Sequence, residues 1–61
     1  MSLNRALSEA TRWLDEVEGV HLVGLSRDDE GDFVLVLVEG RPEDYAELIP
    51  SMVYDVAVRV E

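Results

Sequence analysis

With sixty-one residues, no cysteine and a single histidine, the chain has room for one small domain, and a disulfide frame or a thiolate metal site is excluded. Fourteen acidic residues face five arginines and no lysine. The resulting net charge of −9 repels phosphate backbones and argues against nucleic acid as a partner. No apolar run is long enough to cross a bilayer, so no membrane role is expected. The opening "MSLNRALSEATRWL" holds no signal-peptide core, and a soluble, cytoplasmic protein is expected.

A chain of this length buries only about 60% of the surface that its unfolded form exposes, which leaves a thin stability margin. Small scaffolds compensate with disulfides, a metal or association. Of these, association with another chain is the one left most open here. Three origins of the acidity stand side by side: adaptation to high salt, a genome composition that favours Arg over Lys, and a match to a basic partner.

Leu3, Leu7, Ala10, Leu14 and Val17 follow a 4-3-4-3 spacing. At about 100° per residue they fall within about 80° of one another, which predicts an amphipathic helix docked on a flat surface. Ala6 and Trp13 widen the stripe on one side, with Trp13 at its rim. Arg5, Glu9, Arg12 and Glu16 lie opposite, spaced to pair at i,i+4. Ser2 or Asn4 suits the helix start and Gly19 the position just past its end.

"VHLVGLSR" and "DFVLVLVE" read as two strands joined by "DDEG", with Gly31 supplying the positive φ of a short hairpin. If Arg27 faces Asp32, the loop spans Asp28 to Gly31. His21, Val23 and Leu25 then share a face with Val34, Val36 and Val38. Val20, Leu22, Gly24 and Ser26 share the other with Phe33, Leu35 and Leu37. "GRPEDYAELIP" predicts a short second helix: Pro42 suits its first turn, Tyr45, Leu48 and Ile49 form one face, and Pro50 stops it. In "MVYDVAVRVE", Tyr54, Val56, Val58 and Val60 alternate with Asp55, Ala57, Arg59 and Glu61, the mark of a half-exposed strand.

The expected fold is therefore α+β, a two-layer sandwich over residues 1–61 in the order α-β-β-α-β. Its three-stranded mixed sheet has the second strand in the middle, the third parallel to it, and two helices on one face. This is close to a ferredoxin-like fold without its first strand.

Phe33 to Val38 are six apolar residues in a row, yet helices can cover only one face of such a sheet. The other face keeps a contiguous apolar patch, which marks an interaction surface. The candidate interface residues are Leu22, Phe33, Leu35 and Leu37, joined by the aromatics Trp13 and Tyr54. Partial cover by long side chains such as Arg59 and Glu39 is the alternative. A homodimer packed face to face, or paired along the edge of the last strand, would bury the patch.

The tail "LIPSMVYDVAVRV" adds a resemblance. "GVHLVGL", "FVLVLVE" and "IPSMVYDVAVRV" match in order, over about forty residues, a class of small bacterial and archaeal α/β modules. These run helix, "hVVGV"-type strand, hairpin, "VYVE"-type strand, and a short helix leading to "lP…idGvpVrV". Such modules occur alone or ahead of trypsin-like peptidase domains, and most have no assigned function. The chain resembles them in core-forming positions, which implies a fold and no chemistry. Their Asp-Gly turn corresponds to Asp55-Val56 here, and the following Pro to Ala57, so the chain is expected to stay extended there.

No catalytic, cofactor or metal constellation is visible. His21 has no second histidine, no cysteine and no spaced nucleophile beside it. Serines 2, 8, 26 and 51 lack a nucleophile-elbow motif. "DDEGD" gathers Asp28, Asp29, Glu30 and Asp32 without the oxygen spacing of an EF-hand and reads as a charged turn. The expectation is a non-enzymatic, self-associating interaction domain. An accessory module docking on a different protein (an inhibitor, a propeptide-like chaperone or a regulator) and an acidic nucleic-acid mimic are the alternatives.

Overall fold

A computed structural model describes residues 2–61, with side chains from Leu3 onward. One bent helix packs on a four-stranded sheet, so the α+β class holds. The helix runs as α1 (Ser2–Thr11) and, after Arg12, α2 (Trp13–Glu16). Its bend has a local cause. The Thr11 hydroxyl donates to the Leu7 carbonyl at 2.6 Å, a back-bond of the kind that bends helices, and the Arg12 N–H reaches only the Glu9 carbonyl at 3.3 Å. Asn4 lies inside the first turn and not at its head; the Ser2 side chain lies outside the described residues.

Ala6, Ala10 and Trp13 are buried, while Leu3, Leu7 and Val17 are half-buried and Leu14 is exposed. The docked face is thus turned by roughly 50° from the expected stripe, at about 100° per residue. Small side chains explain the turn. Ala6 and Ala10 let the helix backbone approach the sheet closely, and the larger leucines flank the contact. Trp13, placed at the rim by its sequence position, is a core residue.

β1 (Val20–Asp28) and β2 (Gly31–Val38) form the expected antiparallel hairpin, with Arg27 opposite Asp32 and their side chains 2.9 Å apart. Both strands run one residue further than expected, leaving Asp29 and Glu30 as the tip. Neither tip residue takes a positive φ; Gly31, at φ 122°, does. Asp28 accepts the Glu30 N–H at 2.9 Å and closes the turn. A bulge between Val20 and Leu22 moves Val20 to the helix-covered face, where it is buried, and leaves His21 exposed. Val20 therefore leaves the face expected for it, and His21 falls within the bulge without a partner on β2.

The second expected helix is a single 3₁₀ turn, Pro42–Tyr45. Asp44 N–H bonds to the Arg41 carbonyl and Ala46 N–H to that of Glu43, both three residues back; the Leu48 and Ile49 N–H groups then share the Tyr45 carbonyl in an irregular turn that ends at Pro50. Of its expected apolar face only Ile49 is buried. Tyr45 is half-buried and Leu48 exposed. The sandwich accordingly lacks the second helix that a ferredoxin-like arrangement would need.

The last expected strand is two. β3 (Met52–Val53) turns back at Tyr54 and Asp55 into β4 (Val56–Val60), and the sheet order is β1-β2-β4-β3. The second strand is interior and β4 lies parallel to it, as expected; the extended reading of residues 54 and 55 is corrected. Tyr54 and Asp55 have φ of 48° and 65°, the pair of left-handed conformations of a type I′ hairpin turn. A tyrosine there is strained by about 1–2 kcal/mol. Replacing the pair by the residues such turns prefer, Tyr54→Asn with Asp55→Gly, should stabilise the domain by about 1–2 kcal/mol. An increased urea midpoint with an unchanged slope would show it; a decrease would mean that the Tyr54 ring contributes packing worth more than the strain.

The core lies between the helix and one sheet face: Ala6, Ala10 and Trp13 against Val20, Val34 and Val36, closed at one end by Ile49, Val53 and Val56. Val23, Val38, Val58 and Val60 border it. Phe33 is buried but stands apart from this cluster, because it points to the other face.

Candidate interaction surface

The strand register fixes what the other face carries. Across the sheet, Ser26, Phe33, Ala57 and Met52 form one row, Gly24, Leu35 and Arg59 the next, and Leu22 with Leu37 a third. No helix lies on these rows. Leu22 is 45% exposed, Leu37 36%, and Met52 is also exposed. The structure thus brings Leu22, Leu35 and Leu37 together as expected.

Phe33 differs. The Arg59 guanidinium lies 4.4 Å from its ring centroid and donates to the Asp28 carboxylate beyond it, leaving Phe33 7% exposed. Arg59 starts on β4, crosses β2 and reaches β1, a strap over one end of the face. Both members of the ion pair are partly exposed, so the pair itself adds little, at most about 1 kcal/mol. The cation over the ring adds roughly 0.5–1 kcal/mol. Arg59→Ala should therefore cost about 1 kcal/mol and increase binding of an apolar dye, while Arg59→Met, which keeps the covering stem, should recover most of the shielding. Equal dye binding by both variants would mean that charge, not cover, keeps the face quiet.

Charge is also segregated. Of fourteen acidic residues, two reach this face: Asp28, which Arg59 neutralises, and Glu61, which lies opposite Leu37 just past the end of β4. Asp32 stands on the helix-covered side of β2 beside Arg27, and the remainder sit on the helix and its exit, the hairpin tip, the 42–47 segment, the Asp55 turn and beyond the end of β2.

Trp13 and Tyr54 do not join this surface. Trp13 is in the core behind the sheet. Tyr54 is exposed on its turn and borders an open groove of about 410 Å³ with Asn4, Arg5, Ser8, Glu9 and Arg12. In that groove Arg12 is held by Glu9 at 3.0 Å and Glu16 at 3.1 Å, so Glu9 turns to Arg12 and not to Arg5. The Glu9 hydrogen bond, with the charge of Glu16, raises the Arg12 pKa above its ordinary value, and Asp32 does the same for Arg27. A second groove of about 350 Å³ runs between Pro42, Glu43, Ala46, Ile49, Pro50, Ser51, Val58 and Val60. Its lining is mostly apolar, with Glu43 and Ser51 as its polar members.

The acidic hairpin is internally used. Asp28 accepts from Arg59 and from the Glu30 N–H, and Asp32 from Arg27. Among the described residues no three His, Cys, Asp or Glu side chains converge as metal ligands, and no buried side-chain nitrogen or oxygen lacks a partner. Comparison with family models, curated proteins and solved structures finds no match. The surface itself must carry the functional reading. Among the described residues no helix is long and apolar enough to cross a membrane.

Sequence reading missed two features of this region. The strap depends on a diagonal reach from the Leu35 row to the Asp28 end, which alternation alone does not encode. The strained turn had a signal in the spacing of Val53 and Val56, three apart where one strand would space its inward residues by two.

Proposed function

We propose that the chain is a non-enzymatic protein-interaction domain that associates with a second copy of itself through the uncovered side of its sheet. The observation that carries this reading is the segregation of charge. A surface built for a basic partner would display rows of carboxylates, whereas this one presents Leu22, Leu35, Leu37, Ala57 and Met52, with Asp28 neutralised at one end and, among the described residues, Glu61 the one unpaired acid at the other. Two chains of net charge −9 can approach closely only across a surface with little charge of its own.

Strands about 4.8 Å apart with about 3.3 Å per residue give this face roughly 300–400 Å² in projection. Face-to-face packing would then bury roughly 600–800 Å² in total, below the usual size of a stable specific interface. The expected dimer is reversible and concentration-dependent.

Light scattering across protein concentration, at low and molar salt, tests it. Molar mass should rise from one chain towards two with concentration, and more readily in molar salt, where the screening length falls to about 3 Å and the repulsion between acidic copies fades. The mass of one chain under every condition would overturn self-association and leave docking on a different protein as the use of this face.

A further inference from the structure

The two outer edges of the sheet differ. On one side β3 is only two residues long and turns away at Tyr54, so that edge is blunted. On the other, β1 runs nine residues with β2 as its one neighbour, and it contains no proline and no lysine. The hydrogen bonds of β2 show which groups of β1 point outward. The Val36 carbonyl accepts from Glu61 and the Val38 N–H donates to Glu61, so the even-numbered valines of β2 turn their backbone towards β4. Phe33, Leu35 and Leu37 turn theirs towards β1. Ser26, Gly24 and Leu22, opposite them, are consumed by β2. Val23, Leu25 and Arg27, opposite Val36, Val34 and Asp32, aim their N–H and C=O groups away from the sheet.

Two further observations fall on the same strand. Leu22 and Leu25, on opposite faces of β1, are 45% and 43% exposed, so both flanks of this edge are apolar. Between them Gly24 has no conformational need to be glycine. Its φ is not positive, and an added Cβ would meet only the Leu22 Cδ2, at an ordinary 3.9 Å. Strand glycines occur at bulges, at bends and where a ligand or another backbone comes close; Gly24 lies in a regular stretch of the ladder, which leaves the last of these.

From these we infer that β1 pairs antiparallel with β1 of a second copy about a two-fold axis at Gly24, joining the two sheets into one of eight strands. The register is self-complementary. Val23 faces Leu25 of the second copy and Leu25 faces its Val23, each pair exchanging two main-chain hydrogen bonds. Gly24 faces its own copy at the intervening non-hydrogen-bonded position, where Cα atoms approach to about 4.5 Å. On the same side of the sheet Leu22 faces Ser26 of the second copy, and the bare glycine pair between them leaves room for the Leu22 side chain to lean inward. From Val20 to Ser26 the strand carries no acid, so the approach of two chains of net charge −9 is not opposed locally. This inference rests on the proposed self-association and adds a second surface to it; one pair cannot use both surfaces at once, so where both are occupied the molar mass should pass two chains towards four.

Amide hydrogen exchange on the intact chain tests it. As the protein is concentrated, the Val23 and Leu25 amides should slow by about tenfold or more, while those of the exposed Asp29–Glu30 tip should not. Leu25→Pro removes an outward N–H without breaking a β1–β2 hydrogen bond and should abolish the slowing at Val23. If that variant fails to fold, synthetic protein N-methylated at Leu25 makes the same deletion while keeping the side chain. Leu37→Glu, on the open face, should leave the slowing intact. Association with fast, concentration-independent exchange at Val23 and Leu25 would overturn the edge pairing alone; a monomer at every concentration would overturn it together with the self-association beneath it.

Discussion

Gly19→Ala is expected to destabilise the domain by about 2–3 kcal/mol and lower its melting temperature by roughly 10–20 °C. Gly19 joins the helix to β1 with φ 97°, a left-handed conformation that costs a residue with Cβ about 1–2 kcal/mol. The added carbon would also overlap the Tyr45 hydroxyl and lie 3.1 Å from its Cζ. That hydroxyl donates to the Glu39 carbonyl at 2.7 Å, and the Glu39 N–H donates to the Gly19 carbonyl at 2.8 Å. One small ring of contacts thus ties the helix exit, the end of β2 and the 3₁₀ turn together. Forcing Tyr45 aside breaks a hydrogen bond worth about 1 kcal/mol in addition to the backbone strain. For a chain of 61 residues, total stability is of order 3–9 kcal/mol, so the loss is a large fraction of it. A double-mutant cycle isolates the contact. Tyr45→Phe removes the clashing oxygen, so Gly19→Ala with Tyr45→Phe should cost less than the sum of the two single changes. Strict additivity, measured by urea unfolding, would mean that backbone strain alone explains the glycine.

The β1–β2 hairpin was legible because three independent cues agree on it: two strand-length apolar runs separated by a short polar stretch, a Gly31 that can take a positive φ, and the opposite charges of Arg27 and Asp32 at facing positions. The division of β2 into a Val34–Val36–Val38 face and a Phe33–Leu35–Leu37 face followed from the same register. The bulge at His21 was not legible, since inserting one residue leaves no mark in composition. The helix rotation was hidden for another reason. A hydrophobic pattern weighs leucine above alanine, but a helix close to a sheet buries its smallest residues deepest and its largest at the margins. At the C-terminus, alternation from Tyr54 to Val60 was read as one strand, because neither Tyr54 nor Asp55 is the glycine that usually announces a type I′ turn. Of the candidate surface, Leu22, Leu35 and Leu37 followed from alternation alone. Phe33 and Tyr54 did not, as their exposure depends on the reach of Arg59 and on that unannounced turn.

The two faces of β2 make opposite demands on a carboxylate. Val36 is fully buried, opposite Val23 on one side and Val60 on the other. Leu37, the next residue, is 36% exposed on the open face. Val36→Glu should unfold the chain at neutral pH. Burial can raise a carboxyl pKa by 3–5 units; starting from an unfolded value near 4.3, this costs about 3.5 kcal/mol at pH 7, and the lost Val36 packing adds to it, which together match much of the stability available to a domain of this size. The sign of the pH dependence follows. The folded-state pKa of the introduced acid lies above its unfolded value near 4.3, so any folding it permits exists below that pH and is lost as pH rises through the folded value. Circular dichroism should accordingly show partial recovery of structure near pH 4 and none at pH 7. Leu37→Glu should behave differently, remaining folded with a stability change within about 1 kcal/mol, because its carboxylate stays in water. It should instead weaken association, since each copy would then bring a further negative charge, beside Glu61, to the apolar surface. If Leu37→Glu unfolds the monomer as Val36→Glu does, the open face is part of the folding core, and its low charge reflects packing within one chain and not contact between two.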